Sequence, residues 1–150
     1  RMMSEKKIPV APESIAPDEP VPSGVAVRHE LPRLLIVDDD PLLRRALQRV
    51  FRAHYAVTTV EASEGVALVT KGERFDVILC DVMMPDMDGL QFHDTVAAIE
   101  PSQVERFVFM TGGVGKSQRE RLVELGKPVM PKPFTLSEFF ANVGEDRKPT

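Results

Sequence analysis

Short apolar runs and longer amphipathic segments alternate along the chain from residue 33 onward. The apolar runs have the length and the β-branched or aromatic content of strands, and they cover residues 33–38, 55–60, 75–81, 105–111 and 128–131. The intervening segments carry apolar residues at helical spacing; one begins at Pro41, and the others cover residues 63–71, 89–100, 116–125 and 135–143. This alternation predicts right-handed crossovers and a parallel sheet with helices on both faces.

The predicted fold class is therefore α/β. We expect a doubly wound, flavodoxin-like sandwich of three layers (α/β/α), with five parallel strands in the order 2-1-3-4-5. In such a sheet, ligands bind beyond the carboxyl ends of the strands, where the strand order reverses. The first and third strands would be neighbours at that point.

Acidic residues stand at these two strand ends. Asp38 and Asp39 end the first apolar run and Asp81 ends the third, while Thr111 and Lys132 end the fourth and fifth. Crowded carboxylates raise one another's pKa unless a cation neutralises them, and hard oxygen ligands favour Mg²⁺. A carboxylate beside the metal can attack phosphorus and form an aspartyl phosphate, for which one lysine and one hydroxyl donor suffice as helpers.

Other residues near these ends have structural interpretations. Asp40 is a candidate N-cap with Pro41 at the first helical position. Asp88 and Gly89 are predicted to form a turn. Cys80 lies inside an apolar run and is expected to be a small core residue.

Composition narrows the function classes. Of the 150 residues, 43% are apolar and 28% are charged, which suits a soluble domain with a buried core. The net charge of -4, without a basic run, argues against binding nucleic acid. No stretch approaches the roughly 18 to 20 apolar residues of a membrane span, and the single cysteine excludes an internal disulfide. We expect a cytoplasmic chain without membrane contact.

The organisation of the chain changes near residue 32. Residues 1–32 hold six of the thirteen prolines and no apolar period, which is typical of a flexible linker or tail. We predict a linker over residues 1–32, one domain over residues 33–146 and a short tail over residues 147–150.

Five separated elements occur in the order found in one family. They are Asp38-Asp39, Asp81-Val82-Met83-Met84-Pro85, Asp88-Gly89, Thr111 and Lys132-Pro133. With these elements, residues 33–143 resemble the CheY-like receiver domains of two-component response regulators. The resemblance covers roughly three quarters of the chain.

This resemblance implies specific roles. Asp81 would be the phosphoacceptor; Asp39 and the backbone carbonyl of Met83 would bind Mg²⁺ directly, and Asp38 would act on it through water. Lys132 would pair with the phosphoryl group and Thr111 would donate a hydrogen bond to it. The Lys132-Pro133 peptide would be cis, and Pro85 would belong to the loop after the phosphoacceptor.

Three positions depart from the family pattern. Val129 stands where receivers usually carry an aromatic switch residue, so a signal would have to travel by loop movement. Gly112 replaces the usual alanine and is followed by Gly113, which predicts an open, mobile loop over residues 111–115. Because neither Gly113 nor Met83 offers a carboxylate or amide to orient water, we expect a long-lived phosphoaspartate.

The resemblance also implies partners, and it leaves alternatives open. The phosphodonor would be a histidine kinase or a phosphotransfer domain, and the downstream protein is open. The chain is similar to receivers fused behind histidine kinases, in which case the parent protein would be a histidine protein kinase, although the receiver itself is not expected to be an enzyme. A stand-alone receiver, with or without dimerisation, is nearly as compatible with the sequence.

Two other classes compete with the receiver. A phosphohydrolase of the haloacid-dehalogenase type also uses Asp, Lys and Mg²⁺, but it has a second Asp two residues after the nucleophile, where this chain has Met83. A degenerate receiver that acts only as a binding module is the other, although all five elements are present.

Overall fold

The computed structural model describes residues 30–144. Residues 1–29 of the predicted linker and the predicted tail at residues 147–150 lie outside the described residues, as do residues 145 and 146 of the predicted domain. Those parts of the domain assignment remain predictions.

Five strands alternate with five α-helices. The strands are β1 (Arg33–Val37), β2 (Ala56–Val60), β3 (Val77–Asp81), β4 (Phe107–Thr111) and β5 (Val129–Pro131). The helices are α1 (Pro41–Phe51), α2 (Ala62–Thr70), α3 (Gly89–Ile99), α4 (Lys116–Leu125) and α5 (Leu136–Val143), with a 3₁₀ helix at Pro101–Val104. The predicted alternation is confirmed.

All five strands form one parallel sheet in the order β2-β1-β3-β4-β5. The flavodoxin-like order predicted from the sequence is confirmed. The register pairs Val37 of β1 with Cys80 of β3, and Thr111 of β4 with Pro131 of β5. The carboxyl ends of these four strands therefore lie at one edge of the sheet, and the strand order reverses there between β1 and β3.

The core consists of two apolar layers, one on each face of the sheet. Leu35, Cys80 and Phe109 face a layer that includes residues of α2, α3 and α4. Leu34 and Met110 face the other layer, which includes residues of α1 and α5. Neighbouring strand residues point to opposite faces, and because both faces are covered, β3 is buried at all five positions. Cys80 is fully buried, as expected.

Four strands begin one or two residues later than their apolar runs suggested. The run at residues 75–81 starts with Phe75, which is buried but lies before β3. Its backbone N–H donates to Oε1 of Gln103, at 2.7 Å, and Gln103 belongs to the 3₁₀ helix that precedes β4. Phe75 is buried and its backbone N–H is bonded to a side chain, not to a neighbouring strand. The sequence cannot distinguish such an apolar residue from the first residue of a strand.

The first helix starts as predicted. Asp40 is the N-cap of α1, where its Oδ1 accepts from the backbone N–H of Leu42 at 3.0 Å, and Pro41 occupies the first turn. No helix within residues 30–144 is both long enough and apolar enough to cross a membrane.

Candidate functional site

Three carboxylates meet at the edge formed by β1 and β3. Asp38 and Asp39 follow the last residue of β1, and Asp81 is the last residue of β3. One carboxylate oxygen of each lies within 4.8 Å of the other two. Asp38 and Asp81 are buried, whereas Asp39 is exposed. The structure therefore brings together the three acids that the strand order predicted would meet.

Lys132 reaches the same cluster from the end of β5. Its Nζ lies 3.3 Å from Oδ1 of Asp81 and 3.6 Å from Oδ2 of Asp38. The Lys132 backbone N–H donates to the Thr111 carbonyl at 2.8 Å, which holds the residue against β4. The Lys132–Pro133 peptide bond is cis, as expected.

A single lysine does not neutralise the cluster. Burial raises the pKa of the Asp38 carboxyl, and the charges of Asp81 and Asp39 raise it further, while the N–H of Asp40 and the Lys132 charge act in the opposite direction. Burial also raises the pKa of Asp81, and Asp39 adds to this rise, although the charge and hydrogen bond of Lys132 oppose it. In both cases the net pKa shift is upward, and burial is its largest cause.

One oxygen in this cluster is buried without a hydrogen-bond donor. Oδ1 of Asp38 accepts from the backbone N–H of Asp40 at 2.9 Å, but Oδ2 has no hydrogen-bond partner in the described part of the chain. Lys132 Nζ, 3.6 Å from this oxygen, lies beyond hydrogen-bond distance, so burying the oxygen costs free energy that a bound metal cation would offset. Because all three side chains offer hard oxygen ligands, the residues fit Mg²⁺.

Thr111 and Met83 flank the cluster. Oγ1 of Thr111 accepts from the backbone N–H of Gly113 at 2.9 Å, so its hydroxyl hydrogen is not used in that bond. The Met83 backbone N–H donates to the Asp81 carboxylate and opposes the rise in its pKa. The Met83 side chain is 49% exposed, and its thioether is no acid or base. The predicted role of the Met83 carbonyl as a metal ligand remains a prediction.

The expected turn at Asp88 and Gly89 is instead the start of α3. Oδ1 of Asp88 accepts from the Gln91 backbone N–H at 2.8 Å, and Oε1 of Gln91 accepts from the Asp88 backbone N–H at 2.9 Å. This reciprocal pair is a capping box. Asp88 therefore fixes where α3 begins. The turn interpretation is wrong, because Asp88 is the N-cap of α3 and Gly89 is its first residue.

Gly89 allows α3 to approach the end of β3 closely. A Cβ atom at this position would lie 2.4 Å from the Asp81 carbonyl oxygen and 2.9 Å from the Val82 Cα. Both are backbone atoms and could not move without shifting the end of β3. Gly89 thus permits a close approach, a role that the sequence did not reveal.

Arg44 is a second residue that sequence reasoning missed. Its Nη1 donates to the backbone carbonyl of Asp38 at 2.6 Å. The available signal was an arginine in the first turns of α1, close behind the acidic pair. Many arginines on such a helix are only solvated, so the spacing alone did not identify this contact.

The remaining predicted positions lie around the cluster. Pro85 and Asp39 line a cleft of about 360 Å³ on the α2 side. Val129 is partly buried and packs against the apolar layer on the α2, α3 and α4 face of the sheet. Val129 therefore places a branched aliphatic side chain, and not the aromatic ring usual in receivers, at this position.

Comparisons with known proteins agree with this geometry. The model of the family described as "Response regulator receiver domain" matches residues 34–143. The transcriptional activator protein PfeR of Pseudomonas aeruginosa is 32% identical over 112 residues, which cover 73% of this chain and 36% of that protein. The chain thus spans about a third of the length of this curated relative.

Solved structures show the same fold. The chemotaxis protein CheY4 of Vibrio cholerae is 27% identical with a TM-score of 0.66, covering 76% of this chain and 99% of that one. The receiver domain of the sensor histidine kinase PA1611 of P. aeruginosa is 25% identical with a TM-score of 0.63, covering 73% and 91%. That structure has a magnesium ion coordinated in the active site cleft. Given the match over most of its length, this chain belongs to the response regulator receiver domain family.

Proposed function

We propose that Asp81 is the phosphoacceptor of this receiver domain and takes the phosphoryl group from a phosphohistidine. The observation that carries this proposal is the position of Asp81 between Lys132, whose Nζ lies 3.3 Å from its Oδ1, and the carboxylates of Asp38 and Asp39. A nucleophile, a cation that pairs with phosphate and a set of metal ligands thus lie within one cluster.

The transfer exchanges one bond for another. A carboxylate oxygen of Asp81 attacks phosphorus, a P–O bond forms, the P–N bond of the phosphohistidine breaks, and its electron pair remains on the imidazole nitrogen. Lys132 pairs with the phosphoryl oxygens as negative charge moves onto Asp81. Positioning and charge neutralisation supply most of the catalysis of such transfers.

The metal would be held by the carboxylates of Asp38, Asp39 and Asp81 and by the backbone carbonyl of Met83. When bound, Mg²⁺ neutralises the acidic cluster and the phosphoryl oxygens. Two observations support this assignment: Oδ2 of Asp38 is buried without a donor, and the related PA1611 receiver has magnesium coordinated in its active site cleft.

Thr111 would connect phosphorylation to the surface. If its hydroxyl turns toward the phosphoryl group to donate a hydrogen bond, Oγ1 leaves the N–H of Gly113. Gly113 has a φ of 146°, so the loop is built on a residue with wide conformational freedom. Phosphorylation would thereby rearrange the loop between β4 and α4, without an aromatic residue at position 129.

The phosphodonor would be a histidine kinase or a phosphotransfer domain, and we infer that the chain is a relay module of a longer signalling protein. The enzyme alternative is less well supported. A phosphohydrolase of the haloacid-dehalogenase type needs a general acid two residues after its nucleophile, and this position holds the thioether of Met83.

Phosphorylation by acetyl phosphate tests the proposal. The protein is incubated with acetyl phosphate, with and without Mg²⁺, and its intact mass is measured. We expect the gain of one phosphoryl group that requires Mg²⁺, is absent in Asp81→Asn and is retained in Asp86→Asn, which removes the same charge from the loop that follows β3. An equal gain in Asp81→Asn would reject Asp81 as the acceptor, and continuous turnover of a phosphatase substrate would favour the enzyme.

A further inference from the structure

Every polar group of Asp38 is held by a neighbour except one carboxylate oxygen. Its backbone N–H donates to the Val60 carbonyl at 3.1 Å, and its Oδ1 accepts from the Asp40 N–H at 2.9 Å. Its carbonyl accepts from Arg44 Nη1 at 2.6 Å. The remaining atom, Oδ2, is the buried oxygen without a hydrogen-bond partner, 3.6 Å from Lys132 Nζ.

The Arg44 contact bears on two of the three acids. A peptide unit is planar, so fixing the carbonyl of Asp38 also fixes the N and Cα atoms of Asp39. Arg44 therefore sets the plane from which the Asp39 side chain departs. This contact matters because Asp39 is exposed and has less surrounding structure to hold it than the buried Asp38 and Asp81.

We propose that Arg44 is a positioning residue for the metal site, which holds the Asp38–Asp39 peptide in the orientation that lets both carboxylates face one Mg²⁺ ion. This inference rests on the proposed function, since it presumes that the acidic cluster binds Mg²⁺. Mg²⁺ demands near-ideal octahedral geometry, so a small rotation of this peptide lowers affinity. Losing a residue that orients a ligand typically weakens metal binding roughly 10- to 100-fold.

The contact acts through geometry more than through charge. Arg44 is partly buried and directed at one carbonyl, whereas the adjacent Arg45 on α1 is exposed. Both carry one positive charge at a similar place in the chain. Replacing either residue removes the same charge from α1, but only Arg44 donates to the backbone of the acidic pair.

Titration of Mg²⁺ by isothermal calorimetry separates these two contributions. We compare Arg44→Met, which keeps an unbranched apolar stem, with Arg45→Met as the matched control. The expected result is a Kd for Mg²⁺ at least about tenfold higher in Arg44→Met and within about twofold of the parent in Arg45→Met. Equal Kd values in Arg44→Met and the parent, or an equal loss in both variants, would overturn the proposal.

A second measurement distinguishes positioning from a general loss of structure. The rate of phosphorylation by acetyl phosphate is followed against Mg²⁺ concentration. In Arg44→Met, the concentration at half-maximal rate should rise about tenfold while the maximal rate stays within about twofold, because saturating metal restores the site. A lower maximal rate with an unchanged half-maximal concentration would contradict the inference. Arg44→Lys, which keeps the charge and a donor, should recover part of the affinity.

These measurements also separate the inference from the proposed function. If the parent protein binds no Mg²⁺, the proposed function fails along with the inference. If the parent and Arg44→Met bind equally well, only the role of Arg44 fails. Should thermal melting show that Arg44→Met is unfolded, Arg44→Gln replaces it in both experiments, with the same expected results.

Discussion

At the scale of single residues, the site is defined by groups that are held in an unfavourable state. Asp38 and Asp81 are buried close to each other and to Asp39, and one lysine faces three carboxylates. Their raised pKa values show that the folded chain holds these charges at a cost. A bound cation would remove this cost, which is why the cluster points to metal binding.

The first prediction concerns the stability of the protein without metal. Because the pKa values of Asp38 and Asp81 are raised above 3.8 in the folded state, their linked stabilisation is complete below pH 3.8 and is lost as the pH rises through the raised values. At pH 7 Asp38→Asn should therefore have a higher free energy of unfolding than the parent, and the difference should shrink toward pH 4. Urea unfolding in the presence of a chelator measures it.

Asp40→Asn is the control for this experiment. It removes a charge from the same loop but keeps a good N-cap, so it should give no comparable gain. A free energy of unfolding lower in Asp38→Asn than in the parent at pH 7 would show that the carboxylate is stabilised by the fold.

The second prediction concerns the lifetime of the phosphoaspartate. Met83 offers no group that orients water, and its side chain is exposed enough to be replaced without disturbing the core. Met83→Glu should hydrolyse the phosphorylated form about tenfold faster, which is modest beside the roughly 100-fold or more of a well-placed general base. The decay of the phosphorylated form is followed by intact mass after acetyl phosphate is removed, with Met83→Leu as the control. Equal decay rates in the parent, Met83→Glu and Met83→Leu would refute the explanation.

Residue types and spacing were enough to predict that the three acids, the lysine and the threonine belong to the site. Their chemistry is distinctive, and the apolar runs before them indicated where the strands end. They could not predict Arg44 or Gly89. The role of Arg44 is a contact with a backbone carbonyl, and that of Gly89 is the space left by a missing side chain. Both depend on distances between elements.

At the scale of elements, the packing of α3 against the end of β3 supports the site. Asp88 caps α3 and Gly89 lies on the Asp81 backbone. The Gly89 N–H donates to the carbonyl of Val82, the residue that follows β3, at 2.8 Å. The start of this helix thus helps to fix the backbone of Asp81, the proposed phosphoacceptor.

The third prediction tests this close approach. Gly89→Ala places a methyl group 2.4 Å from the Asp81 carbonyl oxygen, and such overpacking typically costs about 1 to 3 kcal/mol. We expect a loss of this size in urea unfolding and slower phosphorylation. Gly112→Ala is the matched control, since its Cβ would meet nothing within 4 Å. If both variants are as stable as the parent, the packing is looser than described.

The fourth prediction concerns His93 on α3. This side chain is buried, with its ring 4.8 Å from that of Phe107 on β4. Burial lowers the pKa of His93, opposed by the hydrogen bond and charge of Asp94, while the positive charges of Lys127 and Arg121 lower it further.

The unfolded chain therefore binds this proton more readily than the folded one. The stabilisation linked to His93 is present above pH 6.5 and is lost as the pH falls below 6.5 toward the lower pKa of the folded state. His93→Phe should flatten this fall in the free energy of unfolding between about pH 6.5 and pH 5, as measured by urea unfolding. His54, which is only partly buried, provides the control His54→Phe, and an unchanged pH profile in His93→Phe would contradict the assignment.

At the scale of the whole domain, parallel strand order creates the site. Asp38 and Asp81 are 43 residues apart in the chain, and Lys132 lies farther along still, yet the register of β1, β3, β4 and β5 brings all three to one edge. The alternation of apolar runs was enough to predict this topology. Strand starts were less predictable, since Phe75 is buried against a side-chain cap outside the sheet.

The central claim is that Asp81 carries the phosphoryl group, and trapping with borohydride tests it most directly. Borohydride reduces an acyl phosphate to an alcohol, so a phosphorylated aspartate becomes homoserine, while free carboxylates do not react. After treatment with acetyl phosphate and Mg²⁺, peptide mass spectrometry should find homoserine at position 81 and only when Mg²⁺ is present. Homoserine at position 38, 39 or 88 with none at position 81 would contradict the account.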